Sequence, residues 1–486
     1  MDKNSKMATT LLDKQNALLE GPILKSLLRL TIPIILIQLL QAAYQLIDAF
    51  WVGRLGGNAV AAVSVTTPFV FLSIAVGAGL AIAGSVLIAQ YVGARNQPMV
   101  DRIAAQTLLM VLIISVILGA AGYIAAPLLL ELMKISPEVY DGALGFMRIS
   151  FIGLAFNFQF IMFTSFMRGV GNPTVPIYII LGSVILNFGL DPLFIFGWGP
   201  IEGMGVMGAA IATLSTQALA TVISMILLFR GKRGITLMWR NFIPDWKYIK
   251  RAFFLGLPSS IEQSMRGLGL TLMTFLIATH GTLSLASYGV GSNILQFVMI
   301  IGFGFTQSIS TLVAQNIGAG KITRAAKIGR LGALVCFWIL TGFGVITFFA
   351  AEQIVTFFVP EDEAVIAGGS EFLSIMALSW GCIGLQLAFT GVLKGSGNMV
   401  TSMILAVVSQ WVFLFPLAYI LSSHADLGII GIWWAFPVSN VLMAIIAVLV
   451  FAKGDWKKKR LISSPTEDER LTREVGKETM IEEGIS

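Results

Sequence analysis

The chain has 486 residues, 56% of them hydrophobic and only 12% charged, with a mean hydropathy of +0.85; a soluble domain would carry about 25% charged residues. That composition excludes a water-soluble globular protein and makes the lipid bilayer the solvent. The formal charge of +6, from 32 Lys+Arg against 26 Asp+Glu, would suggest a nucleic-acid partner in a soluble protein. Here the basic residues fall in the breaks between apolar runs, so no nucleic acid is expected.

Residues 1–26 are polar and mixed in charge, and read as a cytoplasmic N-terminal segment. The first apolar run is too long for a signal-peptide core and lacks a small-residue cleavage site. Apolar runs then predict helices at 27–53, 62–93, 100–126, 140–167, 174–196, 204–230, 250–279, 286–317, 327–350, 366–393, 399–422 and 428–452. Each is long enough, at about 1.5 Å per residue, to cross a hydrocarbon core of roughly 30 Å. With the N-terminus inside, the cytoplasmic loops hold Arg95, Arg102, Arg168, the cluster from Arg230 to Arg251, the run from Lys321 to Arg330, and Lys394. The opposite side keeps Arg54 and Lys134. This asymmetry places both termini in the cytoplasm. Residues 231–249 read as a cytoplasmic linker between lobes at 27–230 and 250–452, and residues 453–486 as a solvated cytoplasmic tail. Cys336 and Cys382 lie in apolar stretches and suggest buried thiols rather than a disulfide or zinc site.

The chain repeats itself. Pro33 corresponds to Pro258, and the stretch Ser85 to Ala94 to that from Ser310 to Ala319, both at an offset of 225; Arg168-Gly-Val-Gly-Asn172 corresponds to Lys394-Gly-Ser-Gly-Asn398 at 226. Six helices separate the copies. An even number brings the second copy into the membrane from the same side as the first, so the expected architecture is all-α, with twelve transmembrane helices in two pseudo-symmetric six-helix lobes. The glycine motifs follow helices rather than strands and lack a Walker lysine-serine pair, so they predict helix C-caps and tight turns, not phosphate binding.

These residues resemble the MATE (multidrug and toxic compound extrusion) family: a proline in the first helix, an aspartate near its outer end, and paired Gly-x-Gly-Asn turns. The resemblance covers about residues 20–452. Asp48 with Asn187 and Asp191 is similar to the DinF-like and archaeal branch, whose N-lobe carboxylates bind the coupling cation, and Thr213 is a looser match to a fourth polar ligand. The NorM-like branch carries a helix-7 glutamate where this chain has Arg266; the nearest acid here is Glu262.

Ionisable residues in a span are expensive and are functional candidates by default. Asp48 and Asp191 both fall in the outer half of the first lobe. Asn187 and Asp191 are four apart on one helical face, and Pro192 frees the carbonyl of Phe188. Two adjacent carboxylates in low dielectric cannot both stay ionised, which makes the pair a usable proton carrier; their oxygens, the Asn187 amide and a hydroxyl could equally ligate Na+. The rival reading has Asp48 bonding the helix-2 backbone and Asp191 capping a kink. At the repeat positions stand Met273 and Leu417, which favours a role dedicated to the N-lobe.

Glu262 and Arg266 are spaced for an ion pair on one helix, with a contact to substrate in the C-lobe as the sharper reading. Phe156, Phe158 and Phe160 are candidates to line the N-lobe cavity for flat apolar cations. Pro33 and Pro192 are hinge candidates. The expected function is a secondary antiporter, a monomer in the cell (inner) membrane, exporting lipophilic organic cations for H+, or for Na+, with no cofactor, no bound metal and no enzymatic activity. The alternative is a lipid-linked precursor flippase, which would want a basic cavity.

Overall fold

A computed structural model describes residues 16–199, 201–231, 233–423 and 427–462. Nine long helices come first: α1 Ile23–Gly53, α2 Gly57–Gly93, α3 Gln97–Leu132, α4 Pro137–Gly169, α5 Thr174–Phe196, α6 Val206–Phe229, α7 Trp246–Ala278, α8 Thr282–Gly318 and α9 Ile322–Phe358. They are followed by α10 Glu363–Ala377, α11 Trp380–Gly395, α12 Met399–Val407, α13 Phe415–Ser423 and α14 Gly428–Lys453. Among the described residues, ten helices are long and apolar enough to span a membrane, with α12 and α13 counted as one. The bent pair α10 and α11 makes an eleventh. The helix outside that count is α7, whose 33 residues are ample in length but include Glu262 and Arg266.

The expected helices are therefore present, with two departures. The tenth is broken by a 51° bend. There Ser379 N–H bonds the carbonyl of Met376 at 3.0 Å, three residues back rather than four, and Asn440 of α14 donates to the Ser379 hydroxyl at 3.0 Å. The eleventh carries a π-helical segment, Val408–Leu414, between α12 and α13. A two-stranded hairpin, Gly197–Trp198 with Ile201–Glu202, links α5 to α6 and was not anticipated. His424, which the sequence puts at an external helix end with no metal assigned to it, lies outside the described residues.

Chain contacts divide the protein into two compact units: Leu36–Ser260 with residues from both chain ends, and Leu18–Ile35 with Ile261–Leu461. The divisions fall inside α1 and α7, each two residues after the proline, at the same 225 offset. The sequence-based seam lies instead in the linker.

In the first unit α4 is central, packed by α2, α3 and α6. In the second its repeat counterpart α11 is central, packed by α8, α9 and α14. Glycine permits the close approach: a Cβ on Gly169 would stand 2.8 Å from the Ser85 carbonyl oxygen, and one on Gly395 would stand 2.5 Å from that of Ser310. The turns that follow are C-caps. Gly171 and Gly397 have φ of 80° and 84°, and Asn172 N–H and Asn398 N–H reach back to Met167 and Leu393 carbonyls, both at 2.8 Å. These are the hydrogen bonds of a left-handed helix stop.

The linker is docked on α3. Gln106 donates to the carbonyls of Asn241 and Ile243 at 2.6 and 2.8 Å and accepts from Asp245 N–H at 2.9 Å, while Arg102 pairs with Asp245 at 2.9 Å. Trp239 and Trp246 are exposed among the linker's basic residues, as aromatic side chains are at a membrane interface. Residues 455–462 also have structure, whereas sequence reading made them part of a solvated tail. Trp456 is buried, Lys459 donates to the Asn398 side chain at 3.1 Å and Arg460 to the last carbonyl of α8, that of Gly318, at 3.1 Å. Cys336 is buried and Cys382 partly so, both unbridged.

Candidate functional site

The first unit gathers Asp48 from α1, Asn187 and Asp191 from α5, and Thr213 from α6. Asn187 Nδ2 donates to Asp191 Oδ1 at 3.0 Å, and Thr213 Oγ1 to Asp48 Oδ2 at 3.3 Å. The Asp48 and Asp191 carboxyls are themselves within hydrogen-bonding reach. Asn187 and Asp191 are fully buried and Asp48 is half-buried. Three oxygens, Asp48 Oδ1, Asn187 Oδ1 and Asp191 Oδ2, are enclosed and have no donor among the described residues.

Two residues that sequence reading missed complete the cluster. Thr216 gives its hydroxyl proton to the Thr213 carbonyl at 2.9 Å. A hydroxyl has one proton, so Tyr44, 2.6 Å from Thr216 Oγ1, must donate to it. Tyr44 sits four residues before Asp48 and Thr216 three after Thr213, helical neighbours whose spacing was available in the sequence.

The two helices with the hinge-candidate prolines, α1 and α5, run on through Pro33 and Pro192. Of the aromatic candidates, Phe158 is 1% exposed and its ring fills the space a side chain at Gly77 would need, so it packs α4 on α2. Phe156 is half-buried, and its carbonyl accepts from Thr221 at 2.8 Å. Phe160 joins the apolar cluster of Ile37, Ile180 and Val184.

A second buried polar cluster lies in the other unit. Glu262 Oε1 accepts from Lys394 Nζ at 2.9 Å and from Arg266 at 3.3 Å, and Oε2 accepts from the Ser402 hydroxyl at 3.0 Å. Glu262 and Lys394 side chains are 1% and 7% exposed. The expected Glu262–Arg266 pair is thus present, but its main cation is Lys394, which sequence reading had put in a cytoplasmic loop. The signal lay in Glu262: a buried carboxylate requires a partner.

Where the first unit has Asp48 and Asp191, the second has Met273 and Leu417, both within one apolar cluster with Ile277, Leu414 and Ala418. Among the described residues, no three His, Cys, Asp or Glu side chains gather as a metal site.

The family model MatE matches residues 33–193 and 258–420, two segments that begin at the repeat prolines and together cover more than half of the chain. The protein belongs to the MatE family. Among curated relatives, it is 26% identical over 434 residues to the probable multidrug resistance protein YoeA of Bacillus subtilis, across 88% of this chain and 93% of that one. It is also 26% identical over 444 residues to the FAD transporter of Shewanella oneidensis, across 89% and 95%. A crystal structure of MATE in complex with MaL6 superposes with a TM-score of 0.85, over 91% of this chain and 99% of that one, at 24% identity. As a MATE protein the chain is a multi-pass membrane transporter, not an enzyme, and its fold is the expected twelve-helix, two-lobed one.

Proposed function

We propose that this MATE protein is a secondary antiporter that exports lipophilic organic cations, by alternating access of lobes at 27–230 and 250–452, in exchange for H+ taken up at Asp48 and Asp191. Asn187 and Thr213 orient the two carboxyls. Na+ is the second candidate ion, since the same oxygens are its preferred ligands. One observation carries the reading: among the described residues, three enclosed oxygens of Asp48, Asn187 and Asp191 have no donor and the two acids pair with no base. Such a cluster requires a proton or a cation to persist in low dielectric. Coupling then demands that the ion and the substrate favour different states of the transporter.

The relatives named for multidrug resistance and multidrug export support the substrate class, and nothing in those names favours a flippase. The arrangement of acids in the first lobe supports the DinF-like branch. Pro33 and Pro192 are assigned as hinges, both termini as cytoplasmic, the location as the cell membrane and the working form as a monomer.

The test is ethidium transport in proteoliposomes under an imposed pH gradient or an imposed Na+ gradient, for wild type and Asp48→Asn. Transport driven by the pH gradient and lost in the variant is the expected result. Drive by Na+ alone would reassign the ion, and no transport under either gradient would sink the antiporter reading.

A further inference from the structure

The polar cluster of the second unit does not balance. It holds one acid, Glu262, and two bases, Lys394 and Arg266, and Lys394 with Ser402 already occupies both carboxylate oxygens at 2.9 and 3.0 Å. The Arg266 contact is the longest of the three, 3.3 Å to an oxygen that Lys394 also uses. Arg266 therefore brings a positive charge that the carboxylate does not need.

Among the described residues, its only hydrogen bond is the one to Glu262. The guanidinium lies over the ring of Phe303, 5.9 Å from the centroid, and its Nε is enclosed without a partner. The side chain is 22% exposed, in the middle of α7. An arginine at that depth does not face lipid without heavy cost, so its open part faces a polar or water-filled space. The neighbourhood is also built to be narrow: Gly269, three residues on, has no side chain because Gln410 of the π-helical segment packs against it. A π-helical turn inside an α-helix is frequent at functional sites.

A planar guanidinium beside an aromatic ring, with its Nε–H unpaired and one Nη held only by a long 3.3 Å contact to an oxygen that Lys394 also uses, has donors left for a carboxylate or phosphate. We propose that Arg266 is a binding subsite for the acidic group of an amphiphilic substrate, one that carries a carboxylate or phosphate besides its cationic or aromatic body. The proposal rests on the transporter reading for its occupant being a substrate, and extends that reading from plain cations to amphoteric ones. Glu262 and Lys394 are positioning residues here: their 2.9 Å pair ties α7 to α11 and satisfies the carboxylate, so the longer Glu262 contact to Arg266 can be given up when an acidic group binds.

The experiment is equilibrium binding of rhodamine B, which bears a carboxylate, and of its ethyl ester, which does not, followed by fluorescence anisotropy on the purified full-length protein. Wild type, Arg266→Gln and Arg266→Lys are compared. The ratio of acid to ester Kd should rise about tenfold in Arg266→Gln, the order expected for losing a charge-assisted hydrogen bond, with the ester Kd unchanged and Arg266→Lys in between. If the glutamine variant does not fold, the lysine variant decides alone: a several-fold rise supports the subsite. A ratio unaltered in the variant measured overturns it. Phosphatidylglycerol added to the micelles separates the two sources of an acidic group; if it displaces the acid dye from wild type but not from Arg266→Gln, the occupant is a lipid headgroup and the substrate assignment falls. Because binding is read without a gradient, failure of the antiporter reading leaves this result standing on its own.

Discussion

The two halves of the repeat bury polar clusters of opposite sign. The first unit holds two acids and no base at Asp48 and Asp191; the second holds two bases and one acid at Lys394, Arg266 and Glu262. At the places of Asp48 and Asp191, the second half has Met273 and Leu417 in an apolar cluster. At the place of Glu262 the first half has Ile37, also in an apolar cluster, while the counterpart of Lys394 is Arg168, hydrogen-bonded to Ser165. Several features that make the helices pack are shared: the glycines under the Ser85 and Ser310 carbonyls, the turns at Gly171 and Gly397, the central fourth helix. Besides the break at Ser379 and the π-helical turn, what differs is charge. A duplicated scaffold can thus keep one set of backbone contacts and assign one ion chemistry to each half.

The strongest test of this division is functional. Asp48→Asn and Asp191→Asn should each reduce gradient-driven transport to the level of empty vesicles, whereas placing an aspartate at Met273 in the Asp48→Asn background should not restore it; rescue there would mean the halves are interchangeable. Next comes stability. Lys394→Met leaves Glu262 buried with only its weaker cation, and breaking a buried pair costs about 3–5 kcal/mol, to be read as a fall in thermal midpoint. The double change Glu262→Met with Lys394→Met should recover much of that loss. If the single and double variants melt alike, Lys394 is not the partner that matters.

Smaller effects probe what the halves share. Gly169→Ala and Gly395→Ala push a methyl against a carbonyl oxygen, with overpacking costs of about 1–3 kcal/mol. Gly395→Ala should be the worse of the two, since its contact is the tighter one; thermal denaturation of both variants ranks them. Smallest is Lys459→Ala, which removes an exposed contact to Asn398 and should shift stability by about 0.2–1 kcal/mol, detectable only by careful comparison of midpoints.

Much of the fold was legible in the sequence because a bilayer imposes it. Every span must satisfy its own backbone, so long apolar runs can only be helices, and the repeat at 225 revealed the two halves. The first polar cluster was legible for the same reason, as Asp48, Asn187 and Asp191 stood out against apolar surroundings. The rest was hidden by ambiguity of position. Lys394 precedes a Gly-x-Gly-Asn turn, where a basic residue reads as a loop cation; only its 2.9 Å contact to Glu262 shows that its amine turns inward. Phe158 was indistinguishable from a cavity-lining aromatic until Gly77 of α2 was seen beneath it. The break at Ser379 and the π-helical turn depend on partners in other helices, Asn440 among them, and leave no local trace.

That π-helical turn has a consequence for the register of the chain. Val408–Leu414 winds a wider turn into an otherwise regular span, absorbing surplus length without a loop. Removing one residue from this stretch would let the helix run on as plain α with everything from Phe415 onward in its present register, whereas closing the wide turn with all its residues kept would rotate the downstream helix by about 100°. In that second case the span would still be long enough to cross the membrane, yet Leu417 and Ala418 would swing away from Met273 and present themselves to the wrong neighbours. A single deletion is therefore tolerable within Val408–Leu414 and disruptive elsewhere in the same span, where no surplus residue is held and the apolar cluster around Met273 would lose its register.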